Sequence, residues 1–375
     1  MKARGGILIT MHRMSHGGAD RVAVLLANGF QAAGIPTDFL LLRSGGEGEG
    51  TLLRLLDPSV RVHYAGAPMG SRHLELARGV HSIRSIVASA RPSLVLASSS
   101  NMGLVTGIAC KPLRSDGIAV AMKLTNPVIR PRDWLAVQQA YRKRLYRFIF
   151  SRYDRILTLT DVEKGALEAT YPDLSGRFVT VPNAYISGDL NFKGRKPRTG
   201  KTGPRLITLA RMMPQKRLDV LLHAFAQLQR KDARLTILGD GPLRASLEEL
   251  AGKLGIADRV EAPGFVEDVA PALQAADLFV LSSDYEGLPA AVLEALACEL
   301  PVVTTDCFPG ARQMLERFPS CAVTPIGDPV ALARAIDAKL TCPPVTGLSK
   351  IAADYTIDAS IRAHIDVLQA MMRGR

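Results

Sequence analysis

Short β-branched runs alternate with amphipathic stretches twice in this chain, on either side of a break rich in glycine, proline and charge. Such a βαβα rhythm is the pattern of parallel strands joined by helices that cross over the sheet. In the first half, residues 7–11, 94–97, 155–159 and 178–181 read as strands, and residues 19–33 as a helix. Thr160 and Glu163 have capping-box spacing and should open a helix directly after the strand at 155–159. Residues 186–204 combine glycines, prolines and cations and read as a linker. The pattern then restarts, with strands at 205–209, 235–238, 260–262, 278–281 and 301–304 and helices at 218–229 and 243–254. At 375 residues the chain exceeds one ordinary core. The expectation is an α/β protein of two Rossmann-like, doubly wound parallel-sheet domains facing across a cleft. Their bounds are 1–185 and 205–355, with a last helix over 356–375 that has the option of returning to the first domain.

Charge separates the halves. Residues 1–204 carry 29 lysines and arginines against 14 acids, whereas residues 205–375 carry 18 against 21. A basic first half suits an anionic lipid, a phosphorylated substrate or a nucleic acid. With aromatics at only 5% and no aromatic-basic cluster, nucleic acid is the weakest of the three. Five cysteines, odd in number and without a C-x-x-C pair, point to reduced thiols in a cytoplasmic protein. The first ten residues lack the apolar run of a signal peptide. The uncharged stretch 93–110 is interrupted by Ser98-Ser99-Ser100-Asn101, which suits a strand, loop and helix better than a bilayer span.

Several patterns carry little. Gly200-Lys201-Thr202 lacks the preceding glycine and strand of a phosphate-binding P-loop, and Gly239-Asp240-Gly241 lacks the third glycine of a dinucleotide fingerprint. His12 and His16 have no third metal ligand nearby, and no Asp-x-Asp occurs, so no metal is expected.

Three clusters carry more. Gly17 and Gly18 stand between the first strand and the first helix. There they serve either a phosphate at the helix N-terminus or merely a tight turn. Arg211 and Lys216 occupy the equivalent loop of the second half. They are either solvated charges or fixed cations able to stabilise a departing diphosphate. The third cluster runs from Ser282 to Ala295. Glu286 lies in a loop, Pro289 reads as the first residue of a helix, and Glu294 falls on that helix's second turn among alanines and leucines. A carboxylate in such surroundings needs partners, either an arginine or the vicinal hydroxyls of a ribose. Leu288 and the residues after it offer backbone N–H groups.

Together these residues resemble glycosyltransferase family 4, the retaining glycosyl transferases group 1 of GT-B architecture. The resemblance runs from Gly17-Gly18-Ala19-Asp20-Arg21 to Thr305-Asp306, through Val181-Pro182-Asn183, the Arg211/Lys216 loop, Gly239-Asp240-Gly241-Pro242, Pro263-Gly264-Phe265-Val266 and Tyr285-Glu286-Gly287-Leu288-Pro289. The resemblance implies that Arg211 and Lys216 hold the diphosphate and assist its departure, and that Glu286 grips the hydroxyls of the transferred sugar. It implies likewise that Glu294 holds the ribose and that Gly264, Phe265 and Val266 flank the base. Gly241 and Gly287-Leu288 would lie near the nucleotide, and Gly17-Gly18 would contact phosphate from the first domain. The chain departs from the family pattern at Ala210 and Arg217, where glycines often flank the arginine–lysine loop, at Glu299 within Ala-Cys-Glu-Leu-Pro, and at Gln313. Where members often carry a His or Asp after a first-domain strand, this chain has Ser98–Asn101. Ser99, Asn101 and Asn126 are therefore the acceptor-side candidates.

The resulting expectation is a metal-independent transferase without cofactor. It takes sugar from a UDP-sugar, or alternatively a GDP-sugar such as GDP-mannose, to a lipid-linked or polysaccharide acceptor of the cell envelope. A catalytically silent sugar-nucleotide-binding protein is the rival from another class. An epimerase would lack the Glu-Gly-Leu-Pro signature. One basic segment, 130–155, spaces Trp134, Val137, Tyr141, Leu145 and Phe148 as one helical stripe beside Arg142, Lys143, Arg144 and Arg147. The stripe packs on the first sheet or lies on an anionic membrane, peripherally on its inner face, and both hold if only part of it is buried.

Overall fold

A computed structural model describes residues 5–14, 18–45, 49–67, 69–128, 136–186, 203–343 and 346–373. The expected linker lies almost wholly outside these residues, as do Gly17 and Trp134. The chain divides into two compact units, Met1–Ala184 with Ile357–Arg375 and Tyr185–Thr356.

Among the described residues, the first unit contains a seven-stranded, all-parallel sheet. Its strands are β1 (Ile7–Met11), β2 (Thr37–Leu41), β3 (Arg61–Tyr64), β4 (Leu94–Ala97), β5 (Ala119–Lys123), β6 (Arg155–Thr158) and β7 (Phe178–Thr180), in the order β3-β2-β1-β4-β5-β6-β7. Helices on both faces leave the central strands no solvated side, so β1, β2, β4 and β5 are buried at every position. Thr160 caps the helix Asp161–Thr170 by accepting from the Glu163 N–H at 3.1 Å. The return arm of this box reaches one residue further back than its spacing implies, Glu163 Oε2 accepting from the N–H of Leu159.

The last helix, Ile357–Arg373, belongs to the first unit and buries Ser360, His364 and Leu368 at steps of four. Its Ser360 hydroxyl donates to the Pro182 carbonyl at 2.7 Å. Gly29 of the helix Gly18–Ala32 has no room for a side chain, because a Cβ there would collide with Ile361.

The helix Ala136–Phe150 packs differently from the stripe read in its sequence. Leu145, Tyr146, Ile149 and Phe150 turn toward the core, where Phe150 meets Tyr171 and Phe178 edge-on with ring centroids 5.5 Å apart. Val137, Tyr141 and Phe148 are left outside, 79%, 69% and 46% exposed. A spacing of three and four fits two neighbouring helical faces here, and the aromatic cluster around Phe150 selects the other one.

Among the described residues, the second unit holds six parallel strands: β8 (Arg205–Leu209), β9 (Arg234–Leu238), β10 (Val260–Gly264), β11 (Leu278–Leu281), β12 (Val302–Thr305) and β13 (Ala322–Thr324). Their order is β10-β9-β8-β11-β12-β13. In both sheets the first strand of the unit lies between the second and the fourth. Loops leaving its carboxyl end and that of the fourth strand therefore diverge, which is where open α/β sheets place ligands.

Candidate active site

At this point of the second sheet, β8 and β11 pair through Leu206 with Leu278 and Ile207 with Phe279. The loop after β8 carries Arg211 and Lys216, and the loop after β11 carries Ser282 to Gly287. The β8 loop also rests on the loop after β9, since Ala210 N–H donates to Leu238 and Met212 N–H to the Asp240 carbonyl, both at 2.9 Å. The backbones pass so closely that a Cβ on Gly239 (φ 134°) would strike the Ala210 carbonyl oxygen. One on Gly241 would come within 2.7 Å of the Met212 oxygen.

Lys216 ends a single 3₁₀ turn that starts at Pro214, and its ammonium meets Glu286 Oε1 at 2.5 Å. Glu286 is 8% exposed, and the same oxygen accepts from the Ser283 hydroxyl at 2.7 Å. Behind it, Thr305 Oγ1 donates to the Ser283 carbonyl at 2.6 Å and Glu286 N–H donates to the Cys307 carbonyl at 2.6 Å. Burial pushes the Cys307 thiol up to about 12, and the neighbouring Glu286 charge adds to that rise.

The two loops are cross-linked further. Ser282 Oγ donates to the Lys216 carbonyl at 2.9 Å, Asp284 N–H to the Gln215 carbonyl at 2.9 Å, and Gln215 Nε2 to the Tyr285 carbonyl at 2.6 Å. Arg217 closes the set with an ion pair to Asp284 at 3.1 Å. None of Ser283, Gln215 or Asp284 stood out as a partner in the sequence.

Two departures from the family pattern acquire a physical reason. Arg217 and Glu299 both adopt the left-handed backbone region, at φ 47° and 55°, which glycine enters most easily. Each compensates with its side chain. Arg217 binds Asp219 and Asp284. Glu299 accepts from the N–H groups of Gly347, Leu348 and Ser349 at 2.9, 3.0 and 3.0 Å.

Pro289 proves to be the N-cap of the helix Ala290–Ala297 and precedes its first residue, its ψ of 115° being extended. The N–H groups of Leu288, Ala290 and Ala291 make no hydrogen bond among the described residues, as befits the unpaired donors of a helix start. Gly287 and Leu288 are buried, while Glu294, on the second turn, is half-buried between buried Leu293 and Ala295. Arg211 is exposed and forms no ion pair among the described residues. Gly264 is buried with φ 98° and accepts from Gly239 N–H at 2.8 Å, whereas the Phe265 ring stands 71% exposed and Val266 is half-buried.

In the first unit, Gly18 is the exposed first residue of its helix, with open space where a Cβ would be. Ser99 N-caps the 3₁₀ turn Ser100–Met102, which contains Asn101, and Asn126 is exposed beyond β5. Lys123, at the start of that segment, turns inward. It is 1% exposed, donates to the Val181 carbonyl at 3.3 Å, and is pulled down to about 7 by burial, against the attraction of Glu163. Glu163 is pushed up to about 7 by the same cause.

Two Rossmann-like units, each with polar residues at its switch point, make up a GT-B architecture. The model of the glycosyl transferases group 1 matches residues 203–341, and that of the glycosyl transferase 4-like domain matches residues 17–184. The chain belongs to this glycosyltransferase family. A lipopolysaccharide core biosynthesis glycosyltransferase of Rhizobium meliloti is 34% identical over 163 residues, covering 44% of each chain. A putative colanic acid biosynthesis glycosyltransferase of Escherichia coli is 31% identical over 204 residues, covering 52% of this chain and 49% of the relative. These matches span less than half the length of either relative. An Anabaena protein solved with UDP-glucose superposes with a TM-score of 0.75 at 17% identity, covering 97% of this chain and 99% of the other.

Proposed function

We propose that this protein transfers a sugar, with retention and without a metal, from a UDP-sugar to a lipid-linked or polysaccharide acceptor in cell-envelope glycan synthesis. The observation that carries this reading is the Lys216–Glu286 pair, held at the switch point by cross-linked loops. Lys216 and Arg211 take the diphosphate, joined by the free N–H groups of Leu288, Ala290 and Ala291. As the bond between the anomeric carbon and the diphosphate breaks, its electron pair moves onto phosphate oxygen, where fixed cations stabilise it. Glu286 accepts from the hydroxyls of the transferred sugar and Glu294 from the ribose. Gly264 to Val266 flank the base, and Gly241 keeps the nucleotide side open. Ser99, Asn101 and Asn126 are assigned to the acceptor.

The envelope setting is supported by the names of the Rhizobium and Escherichia relatives, and the uracil by the UDP-glucose complex of the Anabaena protein. No described helix is long and apolar enough to cross a membrane. The reading therefore brings the enzyme to a membrane-borne acceptor from the inner face, as a peripheral protein. A thermal-shift panel of UDP, GDP and ADP, each with and without EDTA, tests the donor and the metal together, because a bound nucleotide raises the melting temperature by mass action. Stabilisation by UDP alone, undiminished by EDTA, is the expected result. A preference for GDP would replace the donor, and stabilisation lost on chelation would end the metal-free reading.

A further inference from the structure

The helix Ala136–Phe150 leaves its outward face uncovered among the described residues. Val137, Tyr141, Arg144 and Phe148 follow one another at steps of four, three and four, so they form one stripe along the helix. Two large apolar side chains and an aromatic ring of this exposure, aligned on one element, are unusual on a soluble surface. Their surroundings are cationic. From Ala136 to Tyr153 the chain has five lysines and arginines and no acid. Lys143 and Arg144 form no ion pair among the described residues. The Arg152 guanidinium stacks on the Phe148 ring, 3.3 Å from its centroid, bringing charge to the apolar end of the stripe. Among the described residues Arg147 has only an exposed pair with Asp173 at 3.0 Å, a contact easily exchanged for another anion. The opposite face of the helix is fixed in the core through Ile149 and Phe150, so the stripe is presented on a rigid element.

We propose that this stripe docks the protein on an anionic lipid bilayer, with Val137, Tyr141 and Phe148 entering the headgroup region and Lys143, Arg144, Arg147 and Arg152 meeting lipid phosphates. Charge complementarity selects the occupant. A helix face with a polar ring at its centre and cations on its flank lies in the interfacial plane. An apolar protein partner would match the stripe but leave the acid-free flank unpaired. The proposal rests on the reading above only in giving a membrane-borne acceptor something to be reached from, and its test uses neither donor nor acceptor.

The test is flotation of the full chain with vesicles of phosphatidylcholine alone or containing phosphatidylglycerol, at low and at physiological salt. Co-flotation should occur with the anionic vesicles and weaken with salt, since the Debye length shortens to about 8 Å at physiological ionic strength. Lys143→Gln with Arg144→Gln should cut the bound fraction roughly tenfold or more. Val137→Ser with Tyr141→Ser should abolish it, while the far-UV circular dichroism and melting temperature of these variants stay those of the wild type, which shows that they fold. Equal recovery on neutral and anionic vesicles overturns the proposal, as does binding indifferent to both double variants. Size-exclusion chromatography that reveals a dimer broken by Tyr141→Ser would assign the face to a second copy of the chain and overturn it too.

Discussion

The ammonium of Lys216 lies 2.5 Å from Oε1 of Glu286, although seventy residues separate the two in the chain. On the proposed reading a donor exchanges this contact for two others: its diphosphate takes the cation and its sugar hydroxyls take the carboxylate.

Lys216→Ala should depress turnover by about 10²–10³-fold, the usual worth of one preorganised charge at a departing anion. Lys216→Arg should not restore it, because a planar guanidinium fork cannot occupy the site of a compact ammonium against Glu286 and Ser283. Steady-state kinetics of the two variants, read as kcat, decides this. Full rescue by arginine would show that any cation suffices.

Glu286→Gln releases Lys216 while keeping a group that can accept from Ser283. Bare UDP should then bind as tightly as to the wild type, or more tightly, while sugar transfer falls. Glu294→Ala should instead weaken bare UDP by about 1–3 kcal/mol, the range for lost charged hydrogen bonds. Calorimetry with the nucleotide alone separates the two carboxylates, and equal losses would remove the assignment of one to sugar and the other to ribose.

Lys123, Glu163 and His364 form a buried titrating group with opposing signs. Lys123 is held at about 7 and titrates at its ordinary value when unfolded, so from pH 7 upward the unfolded chain binds the extra proton and stability rises with pH. The slope is at most about 1.4 kcal/mol per unit, and it is cleanest below about pH 8.5, where unfolded thiols begin to titrate. Lys123→Met should abolish this rise in urea-unfolding midpoints. Below pH 7, Glu163, raised to about 7, favours the fold as protons are added. His364, held well below its ordinary value by burial, opposes it. Glu163→Gln should therefore steepen the loss of stability toward acid.

Glu299→Ala should cost roughly 1.5–3 kcal/mol, since three N–H groups lose a charged acceptor while the left-handed backbone stays strained. Glu299→Gly should cost less, because glycine relieves the backbone. Chemical denaturation of the three proteins gives the order, and an alanine variant as stable as the glycine one would disprove the compensation.

The central strands β1, β4, β8 and β11 were legible in the sequence as short, largely apolar runs, which burial on both faces demands. Strand β5, Ala-Val-Ala-Met-Lys, was not legible, because its small alanines and terminal lysine dilute that signal. The edge strand β3 was not, since Arg61, Val62, His63 and Tyr64 are all at least partly exposed. Neither was β2, whose buried Asp38 looks unlike a strand residue until Arg61 and His63 are seen to bind it at 2.7 and 3.2 Å. Charged candidates of the second-unit site were legible from their residue types. Their grouping was not, because Lys216 reaches Glu286 only through the pairing of β8 with β11, and strand order leaves no local mark. The stripe of the helix Ala136–Phe150 was legible as a pattern, but which of its residues face outward was not, because two neighbouring helical faces satisfied the same spacing.

That the last helix belongs to the first unit sets rules for dissecting the molecule. A fragment ending at Ala184 would expose the seat of Ile361, His364 and Leu368 and should be poorly soluble. Fusing Ala184 to Ile357 through a short flexible peptide would restore that seat within one polypeptide. The second unit needs no such repair, because a piece from Tyr185 to Thr356 contains the six strands described for it and also the isolated bridge of Ile186 with Thr356. The proposed nucleotide binding could then be tested on that piece alone, away from the proposed acceptor residues.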